Sequence, residues 1–354
     1  MLFKTLHSVD TEYSADAIEW CTQDEQHADY FACGTYQLME GEQNSSRKGR
    51  IYLYAFARQT GALERLQCID TAAILDMKWL PAWCDDTGPQ LATVNALGQL
   101  EIYELHAKQQ LQQRAQLTLA GNTQPALALA LDWRRAADGA GLQLLVSDSL
   151  GQVHQLQYTA QAQLSQLCAW QAHGFEAWTC AYDRWTPQRI YSGGDDCLLH
   201  AYDLRSGSSE QPERIWTNRA HGAGVTCLLS HPEREHQLLT GSYDELLRLF
   251  DTRAMKRSLA ELNLNGGIWR LKPHPRRSDL ILAACMYKNF SVLELRDSAL
   301  SLLGAYEEHS SICYGADWAP SIDQLDHGQR LHMATCSFYD HKLCVSSVDT
   351  KFEV

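Results

Sequence analysis

The residues best equipped for chemistry gather in a few short segments: His173-Gly174-Phe175-Glu176-Ala177-Trp178, Gly194-Asp195-Asp196, Gly241-Ser242-Tyr243-Asp244 and Ser337-Phe338-Tyr339-Asp340-His341. A histidine within reach of a carboxylate can move a proton on or off a reacting group. His173, His221 and His309 each precede such an aspartate, respectively Asp196, Asp244 and Asp340. The same pairing, once buried, serves only to fix a loop, and for these three pairs that is the better reading. His341 stands outside the pairs, beside Tyr339 and Ser337, and is a candidate general base; a solvated loop histidine is the competing reading. A second chemistry belongs to the aromatics. Trp178, Tyr243, Trp269, Tyr314 and Tyr339, with the carboxylates Glu176 and Asp195, offer ring faces and negative charge that together suit a quaternary ammonium group. Tryptophan and tyrosine serve equally as plain packing.

What positions these segments is a repeat. The clearest unit starts at His221-Gly222, passes through Val225-Thr226-Cys227-Leu228 and Leu239-Thr240-Gly241-Ser242-Tyr243-Asp244, and ends in Leu247-Arg248-Leu249-Phe250-Asp251. The order recurs from His173, from Gly266 with Asn289 in place of the turn aspartate, and from His309. Three degenerate copies come first, their opening strands ending on Trp20, Trp79 and Trp133. Seven copies of roughly 40 to 50 residues predict an all-β, seven-bladed WD-repeat β-propeller occupying 1–354 as a single domain. The last copy has three strands, so residues 3–9 are expected to close it as the missing outer strand. Residues 106–124 and 41–50 read as surface excursions. In such a propeller the residue before each turn aspartate faces the channel mouth, which predicts Asp195, Tyr243, Lys288 and Tyr339 there. The starts of the inner strands add Glu176, Trp178, Trp269 and Tyr314.

Composition narrows the partners. With 30 Lys plus Arg against 43 Asp plus Glu, the net charge of -13 argues against nucleic acid as the main partner. The start of the chain lacks the apolar run of a signal peptide, and the longest apolar stretch, 126–131, is far too short for a membrane. Twelve scattered cysteines without a C-x-x-C pair suggest free thiols in a reducing compartment, with the cytoplasm as default address and no metal site. No G-x-S-x-G, phosphate-loop, H-E-x-x-H or G-x-G-x-x-G pattern occurs. Tyr202-Asp203-Leu204-Arg205 and Phe250-Asp251-Thr252-Arg253 resemble the box through which some WD-repeat proteins dock on a cullin-RING ligase adaptor. The plainer reading is that Arg205 and Arg253 cap their own strands.

The strings DTEYSADAIEWC, ACGTYQL, DTAAILDMKW, SDSLGQVHQL, WQAHGFEAW, YSGGDD, GSYDELLRLFDTR, GGIWRLKPHP, LAACMY, YGADW and ATCSFYDH resemble the diphthine methylesterase family of the diphthamide pathway. They spread over nearly the whole chain, and WQAHGFEAW and ATCSFYDH are not generic WD-repeat sequence. The connection between Pro320 and Leu331 is short, where some relatives carry a long insertion. The resemblance implies hydrolysis of the methyl ester of methylated diphthine on translation elongation factor 2, giving diphthine and methanol without a cofactor. It implies elongation factor 2, and other diphthamide-pathway proteins, as partners. The expected site is an aromatic cage for the trimethylammonium group, with His341 or His173 as base and Tyr339 or a loop N–H as oxyanion donor. A non-catalytic scaffold or ligase substrate receptor is the alternative.

Overall fold

A computed structural model describes residues 1–39, 46–80, 88–120, 124–136, 139, 141–207 and 211–351. These residues form strands and turns without a helix, arranged as seven four-stranded antiparallel sheets. Among the described residues no helix is long and apolar enough to cross a membrane. The innermost strands are Ser14–Trp20, Ile74–Leu80, Ala128–Arg135, Thr179–Tyr182, Val225–Ser230, Ile268–His274 and Cys313–Leu325, which define blades one to seven. Each packs on the next, and the seventh on the first, so the strands close a ring around a central channel. The fold is the expected seven-bladed propeller.

Closure runs through the start of the chain. Leu2–Asp10 is the outer strand of blade seven, antiparallel to Lys342–Lys351 with Leu2 opposite Asp349 and Asp10 opposite Lys342. The Thr11 N–H and hydroxyl then both donate to the His341 carbonyl, at 2.9 and 3.0 Å. Two expected surface excursions turn out otherwise. Gln110–Thr118 is the outer strand of blade two, and Ser46–Ala57 is the third strand of blade one; residues 40–45 lie outside the described residues. An outer strand shows water most of its length, so Gln-rich sequence satisfies it without a visible alternation.

Both faces of a blade are covered by its neighbours, and the strands between accordingly carry continuous apolar runs, as over residues 280–285 of the strand Arg277–Cys285. The blades approach closely enough that a Cβ on Gly241 would meet Ile268 Cγ2 of the next blade at 2.7 Å. Polar ties reinforce the ring. Trp79 and Trp318 donate their indole N–H groups to the carbonyls of Glu19 and Lys272 in the preceding blades, at 3.0 and 3.1 Å. Asp317, Asp76 and Asp132 accept from the backbone N–H groups of Trp20, Leu131 and Tyr182 in the following blades.

Candidate functional site at the channel mouth

Six inner strands start with a β-bulge, and the extra residue leaves the ladder: Asp16, Leu75, Leu129, Thr226, Trp269 and, paired with Gly315, Tyr314. Trp178 holds the equivalent place in blade four, since Ala177 bonds to Asp148 as Val225 bonds to Gly194. These seven form an inner tier of the mouth. An outer tier comes from the turn after each second strand, where the backbone N–H reaches back to the carbonyl just before the inner strand. Ala96, Ser149, Asp195, Tyr243, Met286 and Phe338 make that bond to Ala73, Leu127, Glu176, Gly224, Gly267 and Ile312. Tyr36 fills the place in blade one, opposite Ser14.

The two tiers bring together most of the expected residues. The Trp178 indole lies 6.1 Å from the Tyr243 ring and 5.6 Å from that of Trp269, which lies 5.0 Å from Tyr314. Tyr314 continues to Phe338 at 5.3 Å, and Phe338 to Tyr36 at 5.9 Å. The result is one aromatic wall across blades four to seven and one. Among the described residues, blades two and three contribute Leu75, Ala96, Leu129 and Ser149 instead, so the opposite wall is low there. Asp195 tops the aromatic wall: it accepts the Trp178 indole N–H at 2.9 Å, and its own N–H is held by the Glu176 carbonyl at 2.9 Å. Burial, then the Asp195 charge, holds the Tyr243 hydroxyl protonated.

Two expected positions shift. In blade six the mouth residue is Met286, two residues before Lys288, because the turn has three residues as in blade five, so that Tyr287 and not Asn289 stands where Asp244 does. In blade seven the turn is longer, so Phe338 takes the mouth and Tyr339 sits further out, 72% exposed and 5.0 Å from Phe338. Phe338, Tyr36 and Asp16 were not legible as mouth residues. The register of the bulges reveals them, and a bulge erases the two-residue period that sequence reading follows.

The histidines fall mostly to the structural side. His173 spends Nδ1 on Asp196 and Nε2 on Ser192, both at 2.9 Å, so neither nitrogen is available to a substrate. His309 bonds to Ser337 and Thr335 at 2.6 and 2.8 Å, and Ser337 passes the link to Asp340 at 2.5 Å. His309 thus reaches Asp340 only through Ser337, and the expected His221–Asp244 pair does not form. His221 bonds to Thr240, while Arg248 Nη1 donates to both oxygens of Asp244 at 3.0 and 2.8 Å, a charge-assisted contact that takes the carboxylate. His173, Asp196 and His200 crowd within 4.8 Å, but His200 Nδ1 is also engaged, by Thr217 at 2.9 Å. His341 has φ +51° and closes the same turn that Gly98 and Gly151 close. Its ring makes no hydrogen bond among the described residues.

No protein-family model matches the chain. It is 38% identical over 345 residues to human diphthine methyltransferase, covering 89% of this chain and 74% of that one. Mouse diphthine methyltransferase is 37% identical over 342 residues (89% and 69% covered), and that of Schizosaccharomyces pombe 30% over 341 (95% and 96%). The chain belongs to the diphthine methyltransferase family. Among solved structures, a chain of the mitotic checkpoint complex superposes with a TM-score of 0.69 at 16% identity, covering 98% of this chain and 92% of that one; this likeness concerns the fold alone.

Beneath the aromatic wall this family member carries charge. Arg270, the residue after Trp269, reaches across the channel from blade six to blade two, donating to the Leu75 carbonyl at 2.9 Å and lying 3.4 Å from Asp76. Lower down, Lys272 pairs with Glu19 of blade one and lies 4.0 Å from Asp317 of blade seven. These braces separate the mouth from a polar cavity of about 350 Å³ on the opposite side, lined by Lys78, Asp132 and Arg184 among others. Asp16 joins the charged group from above. Burial pushes its carboxyl up to about 7, against the pull of Arg270, and Asp76 adds to the rise. At the periphery, Arg205 and Arg253 fold back on Asp203 and Asp251 at 2.7 and 2.6 Å, capping their own strands.

Proposed function

We propose that this protein hydrolyses the methyl ester of methylated diphthine on elongation factor 2, releasing diphthine and methanol in diphthamide biosynthesis. The observation that carries the reading is the continuous aromatic wall of Trp178, Tyr243, Trp269 and Tyr314, crowned by Asp195. Diphthine bears a trimethylammonium group, and ring faces beside carboxylates attract such a cation by quadrupole and charge together. Glu176 and Asp195 lie on the rim, and Tyr339 extends the wall outward through Phe338. Membership in a family whose relatives are named for diphthine supports the substrate. Those names describe methyl transfer; removal of the methyl group by water is the reaction we assign, with no cofactor.

The deciding experiment is methanol release from elongation factor 2 carrying methylated diphthine, with purified protein and no methyl donor. Turnover is the expected result. Methyl incorporation into unmethylated diphthine that depends on added S-adenosylmethionine, without methanol release, overturns hydrolysis in favour of methylation. Tight substrate binding with neither reaction makes this a recognition propeller.

A further inference from the structure

Of the seven residues of the inner tier, three are aromatic, two are leucines, and Thr226 spends its hydroxyl on the Ile268 carbonyl. Asp16 is the seventh and the only acid among them. It is 6% exposed, and its Oδ1 is buried without a hydrogen-bond partner among the described residues. A buried, unpartnered carboxylate oxygen is costly, and a fold that keeps one needs a reason, of which catalysis is one. The bulge that carries it belongs to the same tier as Trp178, Trp269 and Tyr314, so the carboxyl sits where a group held by the wall would react. Arg270 is the opposite charge that acts on it most strongly.

Resting on the esterase reading above, we infer that Asp16 is the general base for ester hydrolysis and that the Arg270 guanidinium faces the oxygen that gains charge. The water oxygen bonds to the ester carbonyl carbon while its proton passes to Asp16, and the carbonyl electron pair moves onto the oxygen opposite Arg270. As the tetrahedral intermediate collapses, the bond from carbon to the methoxy oxygen breaks. The proton on Asp16 passes to that oxygen, and methanol leaves. The acid product then ionises to solvent. The carboxyl, pushed up to about 7 by burial, ionises close to neutral pH, where a base is most effective. Neither His173, with both nitrogens bonded, nor His341, at the left-handed end of a turn, offers a comparable group.

The test compares wild type with Asp16→Asn and Asp16→Glu in methanol release, alongside the affinity of each for the substrate protein. Asp16→Asn is expected to lose 10²- to 10⁴-fold in kcat while affinity stays within about threefold. Asp16→Glu is expected to keep part of the rate. Near-normal kcat with lost affinity would make Asp16 a counter-ion of the substrate cation and overturn the inference. If Asp16→Asn does not fold, the pH profiles of wild type and Asp16→Glu decide: kcat/KM rises with pH through a one-proton inflection near 7 that moves in Asp16→Glu, whereas a flat profile from pH 6 to 8.5, or an inflection that the substitution leaves in place as one from Glu19 would be, overturns the assignment. Wild type without any turnover defeats the esterase reading itself, whereas turnover that survives Asp16→Asn defeats only the role of Asp16.

Discussion

The weight each aromatic residue carries follows from its tier. Trp269 touches Trp178, Tyr243 and Tyr314, so it stands at the centre of the wall, half-buried and fixed by three rings. Tyr339 touches Phe338 and is otherwise open to water at 72% exposure. A cation–π contact in a desolvated setting is worth about 2 kcal/mol and an exposed one about 0.5. Trp269→Ala is therefore expected to weaken binding of the trimethylated substrate by roughly 30-fold, and Tyr339→Ala by no more than about threefold. Titration of the two variants with substrate protein checks the order; equal losses would mean that the rings act as packing and that the cation lies elsewhere.

At the scale of the blade, the histidine loops make stability depend on pH. His221 is 5% exposed, and burial, with Arg248 beside it, pushes its imidazole down to about 4. The unfolded chain has an ordinary histidine near 6.5, so between about 4 and 6.5 the unfolded state binds a proton that the fold refuses. This contribution therefore weakens as pH falls through that window and is constant above it. Urea unfolding at pH 6.5 and 5 is expected to show wild type losing on the order of 1 kcal/mol more than His221→Gln over the same interval. Parallel losses would show that His221 is protonated without penalty. The blades also explain what was legible. Seven repeats, the tryptophans at strand ends and the closing outer strand could all be read from spacing, because each repeat must bury the same two faces. Asp16, Tyr36 and Phe338 could not, since Ser14-Ala15-Asp16-Ala17-Ile18 reads as an ordinary alternating strand until the bulge is seen. The outer strand Gln110–Thr118 was missed for the opposite reason, having little burial to leave a pattern.

Across the whole molecule, exposed apolar side chains occur on both faces among the described residues, Trp185 and Leu259 lying in loops away from the mouth. Leu97, Phe175, Tyr287 and Tyr339 are 62%, 63%, 74% and 72% exposed, and each lies in a turn or loop on the mouth side of its blade. Large apolar side chains held out in water on one face suit contact with another protein. A substrate residue that must insert into the mouth arrives on a folded protein, whose surface would then rest on this rim. Phe175 precedes Glu176 and Trp178, and Tyr287 follows Met286, so the two flank the aromatic wall without joining it. Replacing both with alanine should leave the chemistry intact and weaken only the rim. The expected outcome is a rise in KM of about tenfold toward methylated elongation factor 2 at nearly unchanged kcat, with turnover of a short peptide bearing the same methyl ester unaltered. Equal loss on peptide and protein would place Phe175 and Tyr287 within the site. No loss on either would mean that the modified side chain alone, reaching between the high aromatic wall and the low wall of blades two and three, supplies the recognition.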